Sequence, residues 1–281
     1  NFAKAIDLYD LVSIDNLSNR ELADMRFHQG YSYFTLQRFD KAKSSLNAIR
    51  LAKDDPNYEA ANYYYGFISF FDKNYREALD GFKVVEDHEE YGKVAPYYIS
   101  VIYYMQEDKQ KALEYAESKL KRGNLFYEKE MQQLVGHGYF IQKQYAKALP
   151  YLENYVSKAE KLTREDLYEL SYCYYSAGSW VKAIDGFKQL GGKEDSLSQN
   201  SMYLLGDAYL KIGQTVNARN AFSFCSVNSS NDAQRQVSMY NYAKLSYELG
   251  YQDVALTELQ KFLQTYPQSE YINEARELLV N

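Results

Sequence analysis

The stretch EAANYYYGFISFFDKNYREALDGFKVVE, residues 59–86, carries the pattern that decides the fold. Apolar residues recur at helical spacing in its first half, the polar triplet DKN interrupts them, and a second amphipathic run follows. This arrangement predicts two helices joined by a short turn. The four prolines and 14 glycines of the chain are too few for a turn-rich β-protein, so we expect an all-α fold.

The same pattern recurs along the chain, once every 34 to 37 residues. An alanine marks each unit: Ala5, Ala42, Ala78, Ala112, Ala148, Ala183, Ala218 and Ala255. From Ala42 onward a small residue stands twelve positions before each alanine, and in most units a tyrosine stands nine before it. Small residues let two antiparallel helix backbones approach closely. We therefore expect each unit to be a helical hairpin whose helices touch at these positions.

The regular spacing of the marker alanines predicts one repeat array that covers the whole chain. Its complete repeats are 23–58, 59–92, 93–128, 129–163, 164–198, 199–235 and 236–269. Residues 1–20 resemble a second helix without its first, and residues 270–281 resemble the start of another first helix. Solenoids normally protect their ends with polar capping elements. We therefore expect a piece of a longer array, whose open ends allow self-association.

Several features together resemble the tetratricopeptide repeat: the small residue, the tyrosine, the marker alanine, a late proline such as Pro267 and an aromatic residue before the alanine. The aromatic residues are Phe39, Tyr75, Tyr145 and Trp180. The resemblance covers essentially the whole chain. It implies a right-handed superhelical solenoid whose first helices line a concave groove for partners. TYPQSEYINEA, residues 265–275, is similar to repeats of bacterial envelope lipoproteins that assist outer-membrane assembly, which favours a periplasmic over a cytoplasmic location.

Positions 15, 11 and 8 before each alanine form one stripe on the first helix, because they follow i, i+4, i+7 spacing. The stripe is aromatic through five repeats and charged in the last two. Its candidate partner-binding residues are Phe27, Tyr31, Phe34, Tyr63, Phe67, Phe70, Tyr97, Tyr104, His137, Phe140, Tyr168, Tyr172 and Tyr175. Tyr65, Gly66 and Ser69 point to the other side in this register, and we expect them to face the second helix.

Three functions are compatible with the stripe. An exposed row of rings is typical of a groove that binds a protein or peptide segment. The same rings would also stack on sugars, which predicts a glycan or small-ligand module. If neighbouring helices cover the rings, the array is an architectural spacer. The stripe lacks the lysine and asparagine arrangement with which some tetratricopeptide proteins clamp a C-terminal carboxylate.

Other functional classes find little support in the sequence. The net charge of −6 and the absence of a basic stripe disfavour nucleic acid as a partner. No apolar run approaches the roughly 20 residues of a membrane-spanning helix. The histidines lie in three different repeats, without a nucleophile or metal-ligand spacing beside them. We therefore expect a non-enzymatic protein without cofactor or metal, in which Cys173 and Cys225 are buried at apolar positions.

The third repeat departs from the pattern. Lys109 stands where an aromatic residue is expected, and Lys119 stands where an apolar residue is expected. These substitutions predict a second helix that packs loosely. The run KLKRGN, residues 119–124, predicts that this helix ends at Gly123, because cations favour exposed carbonyls and glycine favours the C-terminal cap.

Overall fold

The computed structural model describes residues 1–280, which form 16 α-helices and no β-strand. This confirms the predicted all-α fold. The chain divides into two compact units, Asn1–Met131 and Gln132–Asn281, and the division falls within one helix. The predicted repeat boundaries and the single continuous array stay a prediction, and the two units are described separately.

The first unit consists of helical hairpins. Its helices are α1 (Phe2–Asp10), α2 (Asn19–Thr35), α3 (Phe39–Leu46), α4 (Tyr58–Phe71), α5 (Tyr75–Val84), α6 (Ala95–Met105), α7 (Lys109–Arg122) and the beginning of α8 (Glu128–Ile141). Short 3₁₀ turns occupy Ile14–Asn16, Ile49–Leu51 and Tyr91–Lys93. The break between α4 and α5 falls at residues 72–74, as the polar triplet predicts. Tyr65 and Ser69 donate to the Glu77 carboxylate of α5, and thus face the second helix as expected.

The second unit contains the remainder of α8 and eight further helices. They are α9 (Tyr145–Lys158), α10 (Arg164–Ser176), α11 (Trp180–Phe187), α12 (Ser196–Lys211), α13 (Thr215–Val227), α14 (Asp232–Glu248), α15 (Gln252–Thr265) and α16 (Ile272–Val280). A 3₁₀ turn at Lys188–Leu190 extends α11. Cys173 and Cys225 are buried, as predicted, and burial raises the pKa of each thiol to about 12.

The repeated small residues lie where the two helices of a hairpin touch. All seven alanines from Ala42 to Ala255 are at most 1 % exposed. A Cβ atom added to Gly30 would lie 2.8 Å from the Leu46 side chain, and one added to Gly136 would lie 2.7 Å from Leu152. These separations are shorter than van der Waals contact, so a larger side chain would force the helices apart. The predicted close approach is confirmed.

A left-handed residue closes each hairpin turn, five positions before the marker alanine. The seven residues with positive φ at this position are Gln37, Lys73, Glu107, Lys143, Gly178, Gly213 and Gly250. In each turn the next residue donates its backbone N–H to a carbonyl of the first helix, as Asn74 does to Ser69 at 2.8 Å. This bond is the long-range bond of a Schellman cap. The backbone thus ends the first helix in the same way in every hairpin, whether or not glycine is present.

The expected loose packing of α7 is wrong. Ala112, Leu113 and Ala116 are fully buried in this helix. Lys119 is only 6 % exposed, because its stem packs inside while its ammonium reaches Asp87 at 2.9 Å and Glu86 at 3.3 Å. The helix ends at Arg122, and Gly123 caps it with a φ of 73°, as predicted.

Candidate binding surface

The predicted stripe residues are mainly half-buried. In the first unit Phe27 is buried, with 8 % exposure, whereas Tyr31, Tyr63 and Phe67 keep part of their surface accessible. Phe34, Phe70, Tyr97 and Tyr104 are likewise half-buried, and so are five residues of the second unit: His137, Phe140, Tyr168, Tyr172 and Tyr175. Except for Phe27, each predicted residue therefore combines packing with accessible surface. Their role in binding a partner stays a prediction.

In the first unit these rings join a continuous series of aromatic contacts, which we call the aromatic ladder. Its members are Tyr31, Tyr63, Tyr64, Phe67, Tyr91, Tyr97, Tyr98 and Tyr127. Neighbouring ring centroids along it are 4.3 to 5.8 Å apart. Most pairs meet edge to face, the arrangement that the ring quadrupoles favour. The ladder thus runs from α2 through α4 and α6 to the start of α8.

Two ladder positions come from turns between repeats. Tyr91 stacks on Tyr63 at 4.3 Å, and Tyr127 stacks on Tyr97 at 4.7 Å. His88 stacks on Tyr91 at 4.6 Å, and its Nδ1 accepts the backbone N–H of Glu90 and Tyr91. The turn that brings Tyr91 to the ladder is therefore held by a histidine cap.

Several ladder tyrosines have a raised pKa and therefore keep their protons at neutral pH. Burial, together with the neighbouring Tyr127 and Tyr91, raises the pKa of Tyr63 to about 12. Burial likewise raises the pKa of Tyr64 and Tyr98. The surface therefore offers neutral phenol hydroxyls beside apolar ring faces.

Large apolar side chains that are exposed to solvent adjoin the ladder. Phe71 at the end of α4 is 60 % exposed and stacks on Phe67. Phe126 is 74 % exposed and meets Tyr127 edge to face. Exposed apolar side chains that adjoin a half-buried aromatic series form a patch of the type that marks interaction sites.

The corresponding rings of the second unit are fixed by polar contacts. The Tyr175 hydroxyl donates to Asp207 at 2.6 Å, and His137 Nδ1 lies 2.7 Å from Glu169. Asn200 donates to the Tyr168 hydroxyl. Each of these bonds joins one repeat to the next. The stripe of the second unit thus combines these hydrogen bonds with ring contacts of its own, in which the centroids of Phe140, Tyr168, Tyr172 and Tyr175 are 5.7 to 6.3 Å apart.

Within residues 1–280, no group of three or more His, Cys, Asp or Glu side chains is arranged to hold a metal ion. No helix in this part of the chain combines the length and apolarity needed to cross a membrane.

Comparison with known proteins supports the repeat class. The family model described as "Tetratricopeptide repeat" matches residues 237–269, and the one described as "Anaphase-promoting complex, cyclosome, subunit 3" matches residues 141–225. Comparison with curated protein sequences gave no match.

Solved structures share the fold at low sequence identity. YrrB, described as a TPR protein with an unusual peptide-binding site, is 12 % identical with a TM-score of 0.52, over 71 % of this chain and 99 % of its own. The Naa15/Naa10 structure bound to HypK-THB is 14 % identical with a TM-score of 0.54, over 92 % of this chain and 39 % of its own. A tetratricopeptide repeat protein from Parabacteroides merdae is 16 % identical with a TM-score of 0.47, over 92 % and 99 %.

These findings define a class of protein and identify one of its repeats. The antiparallel helix pairs and their register define a helical repeat protein of the kind that presents an extended binding surface. The match at residues 237–269 identifies that segment as a tetratricopeptide repeat.

Proposed function

We propose that the protein is a non-enzymatic scaffold that binds an apolar protein segment on the aromatic ladder of its first unit. The observation that carries this proposal is the continuity of the ladder, together with the exposed Phe71 and Phe126 that adjoin it. Rings that served only as packing would need no exposed apolar neighbours. Rigid aromatic side chains supply contact area at a low entropic cost, which suits a protein partner.

The ladder also provides polar groups for a backbone. Tyrosine hydroxyls that stay neutral can both donate to carbonyls and accept from N–H groups of an extended segment. The predicted stripe residues Tyr31, Tyr63, Phe67 and Tyr97 are ladder members. Of the others in the first unit, Phe34, Phe70 and Tyr104 flank the ladder in this proposal, and Phe27 is buried. The stripe residues of the second unit stay candidate partner-binding residues of that unit.

Selection of random peptides on the purified protein tests the proposal. We expect apolar or aromatic peptides to be enriched, and their affinity to fall by about tenfold or more in the double variant Phe71→Ser, Phe126→Ser, since buried apolar anchors dominate such interfaces. Fluorescence anisotropy measures the affinity. Both side chains are exposed, so the variant should keep its helical circular dichroism.

The matched control is Val181→Ser, which removes an exposed apolar side chain from α11 in the second unit. This variant should bind the selected peptides as the unmodified protein does. Failure to enrich any peptide, or equal affinity in the ladder variant and the unmodified protein, would contradict the proposal and favour the architectural spacer.

A further inference from the structure

A polar cleft of about 480 Å³ lies in the second unit, between α10, the beginning of α12 and the beginning of α14. Its volume is within the range of about 300–1,000 Å³ that is usual for small-molecule sites. The lining residues are Tyr168, Ser196, Leu197, Asn200, Ser230, Asn231 and Gln234. None of these seven side chains carries a charge at neutral pH. Three are amides and three are hydroxyls.

The polar side chains of the cleft are oriented by one another. Gln234 Nε2 donates to Asn200 Oδ1 at 2.5 Å, and Asn200 Nδ2 in turn donates to the Tyr168 hydroxyl. This chain of bonds joins three successive first helices. An amide that is bonded on both sides has a fixed orientation, so the cleft presents a defined set of donors and acceptors.

A buried glutamine holds the loop that forms one wall. Gln199 is fully buried on the other side of α12, and its Nε2 donates to the carbonyls of Asn228 and Asn231 at 2.9 and 2.8 Å. Its Oε1 accepts the backbone N–H of Asn231 at 2.7 Å. Gln199 thus uses both its amide nitrogen and its amide oxygen to bind this loop. The wall that carries Ser230 and Asn231 is therefore pre-organised.

The opposite wall is held by Arg164. Its guanidinium makes a two-pronged contact with the Asp195 carboxylate, at 2.6 and 3.1 Å, and also donates to Ser198 Oγ at 2.6 Å. Asp195 caps the start of α12, on which Ser196, Leu197 and Asn200 lie. The charged pair thus supports the cleft from outside without contributing a charge to its lining. Both walls are rigid, and this rigidity lowers the entropic cost of binding.

One acceptor in this network is left without a donor. Gln234 Oε1 is buried and has no hydrogen-bond partner among the described residues. An unsatisfied buried acceptor is unfavourable by about 1–3 kcal/mol.

We infer that this cleft binds a neutral, hydroxyl-rich ligand, one or two sugar rings of a glycan. Amides and hydroxyls each donate and accept, which matches neighbouring sugar hydroxyls. A phosphate or carboxylate ligand would need a cation, which the lining lacks. An extended peptide would need backbone partners that are free, whereas Tyr168, Asn200 and Gln234 already bond to one another. Leu197 and the Tyr168 ring supply apolar contact for the C–H face of a sugar.

Titration with neutral oligosaccharides tests this inference independently of the aromatic ladder. The probes are a panel of defined α- and β-linked glucose, xylose, galactose and N-acetylglucosamine oligomers. In the unmodified protein, binding of at least one member should shift the NMR signals of the side-chain amides of Asn200, Asn231 and Gln234. In calorimetry, Asn200→Ala should weaken that binding by about tenfold, because one amide supplies two hydrogen bonds.

The matched control is Asn217→Ala, which removes an exposed amide from α13 outside the cleft. It should bind the oligosaccharide as the unmodified protein does. The inference is overturned if no oligomer of the panel binds, or if binding leaves the three amide signals unmoved. Because the amide signals are read in the unmodified protein, the test remains decisive even if Asn200→Ala unfolds. Neither outcome depends on Phe71 or Phe126. A failure of the glycan inference therefore does not contradict the proposed scaffold function, which has its own test.

Discussion

Gly81 shows at residue scale how closely the helices of a hairpin approach. A Cβ atom at this position would lie 2.6 Å from the Asn62 carbonyl oxygen and 3.2 Å from the Gly66 Cα atom. Both neighbours are backbone atoms, which move only if the helix moves. A Cβ atom on Gly66 would instead meet the Phe82 ring at 3.2 Å, and a ring can tilt. The two glycines therefore differ in what their replacement would displace.

We expect Gly81→Ala to lower the free energy of unfolding by about 2 kcal/mol relative to Gly66→Ala. Each alanine gains the same helix propensity, about 1 kcal/mol, so the difference reports the helix–helix contact. Urea unfolding, monitored by circular dichroism, measures this difference in the free energy of unfolding. Equal stabilities would mean that the backbones are farther apart than described.

Lys119 is a buried charge whose position depends on two carboxylates. The ammonium contacts Asp87, which it shares with Arg122, and Glu86, which also accepts from the Tyr115 hydroxyl at 2.7 Å. The hydrogen bond from Lys119 lowers the pKa of Asp87. Burial raises the pKa of Glu86, but the bonds from Tyr115 and Lys83 outweigh it and lower the pKa below 4.5.

These lowered pKa values predict an acid-sensitive contact. A carboxyl group whose pKa is depressed by folding stabilises the protein above its unfolded pKa, and this stability is lost as pH falls through the folded pKa. The melting temperature should therefore fall from pH 6 to pH 3 by more in the unmodified protein than in Lys119→Met. The control Lys121→Met, at an exposed position of α7, should behave as the unmodified protein. An identical pH dependence in Lys119→Met would contradict this account.

Sequence reasoning at residue scale succeeded where a residue type recurs. The alanines and the glycines opposite them recur in register, and they are buried as predicted. The equivalents of Gly81 in other repeats are Ser45, Tyr115, Tyr151, Gly186, Ala221 and Glu258. Glycine recurs only once among them, so repetition could not reveal that Gly81 needs to be glycine. Lys119 was misjudged because a long aliphatic stem can be buried while its charge reaches a loop of the preceding repeat.

At element scale, the hairpin turns share one backbone conformation but not one residue type. The left-handed position is Gln, Lys, Glu and Lys in the first four hairpins, and glycine in the last three. A side chain in this conformation costs about 1–2 kcal/mol, which glycine avoids. The helix lengths also vary: α3 and α11 have only eight residues, and a 3₁₀ turn follows each of them. The sequence periodicity predicts that a turn is present, whereas the positive φ angle of its left-handed residue follows from the Schellman cap that ends the first helix.

Substitutions at the left-handed position should change the free energy of unfolding in opposite directions, depending on whether glycine is introduced or removed. Lys73→Gly should raise the free energy of unfolding by about 1 kcal/mol, and Gly213→Ala should lower it by about the same amount. A Cβ atom on Gly213 would meet no atom within 4 Å, so its cost is confined to the backbone. Urea unfolding measures both. A loss of stability in Lys73→Gly would contradict the left-handed assignment.

At the scale of the whole molecule, the sequence predicts which helices carry the candidate surface but not how its rings connect. The stripe identified Tyr31, Tyr63, Phe67 and Tyr97. It missed Tyr64 and Tyr98, which lie one position outside the register. It also missed Tyr91 and Tyr127, whose positions depend on the packing of turns against the next repeat. The polar cleft was missed for a similar reason, because its residues are separated by up to 66 positions in sequence.

In our proposal the aromatic ladder contacts a protein segment. To detect this contact, Phe71 is replaced with the photo-cross-linking residue p-benzoylphenylalanine, and the protein is irradiated with a selected peptide. The same replacement at Val181 is the control. We predict a covalent adduct at position 71 and none at position 181, with the attachment point located by mass spectrometry. An adduct only at position 181, or equal adducts at both positions, would contradict the claim.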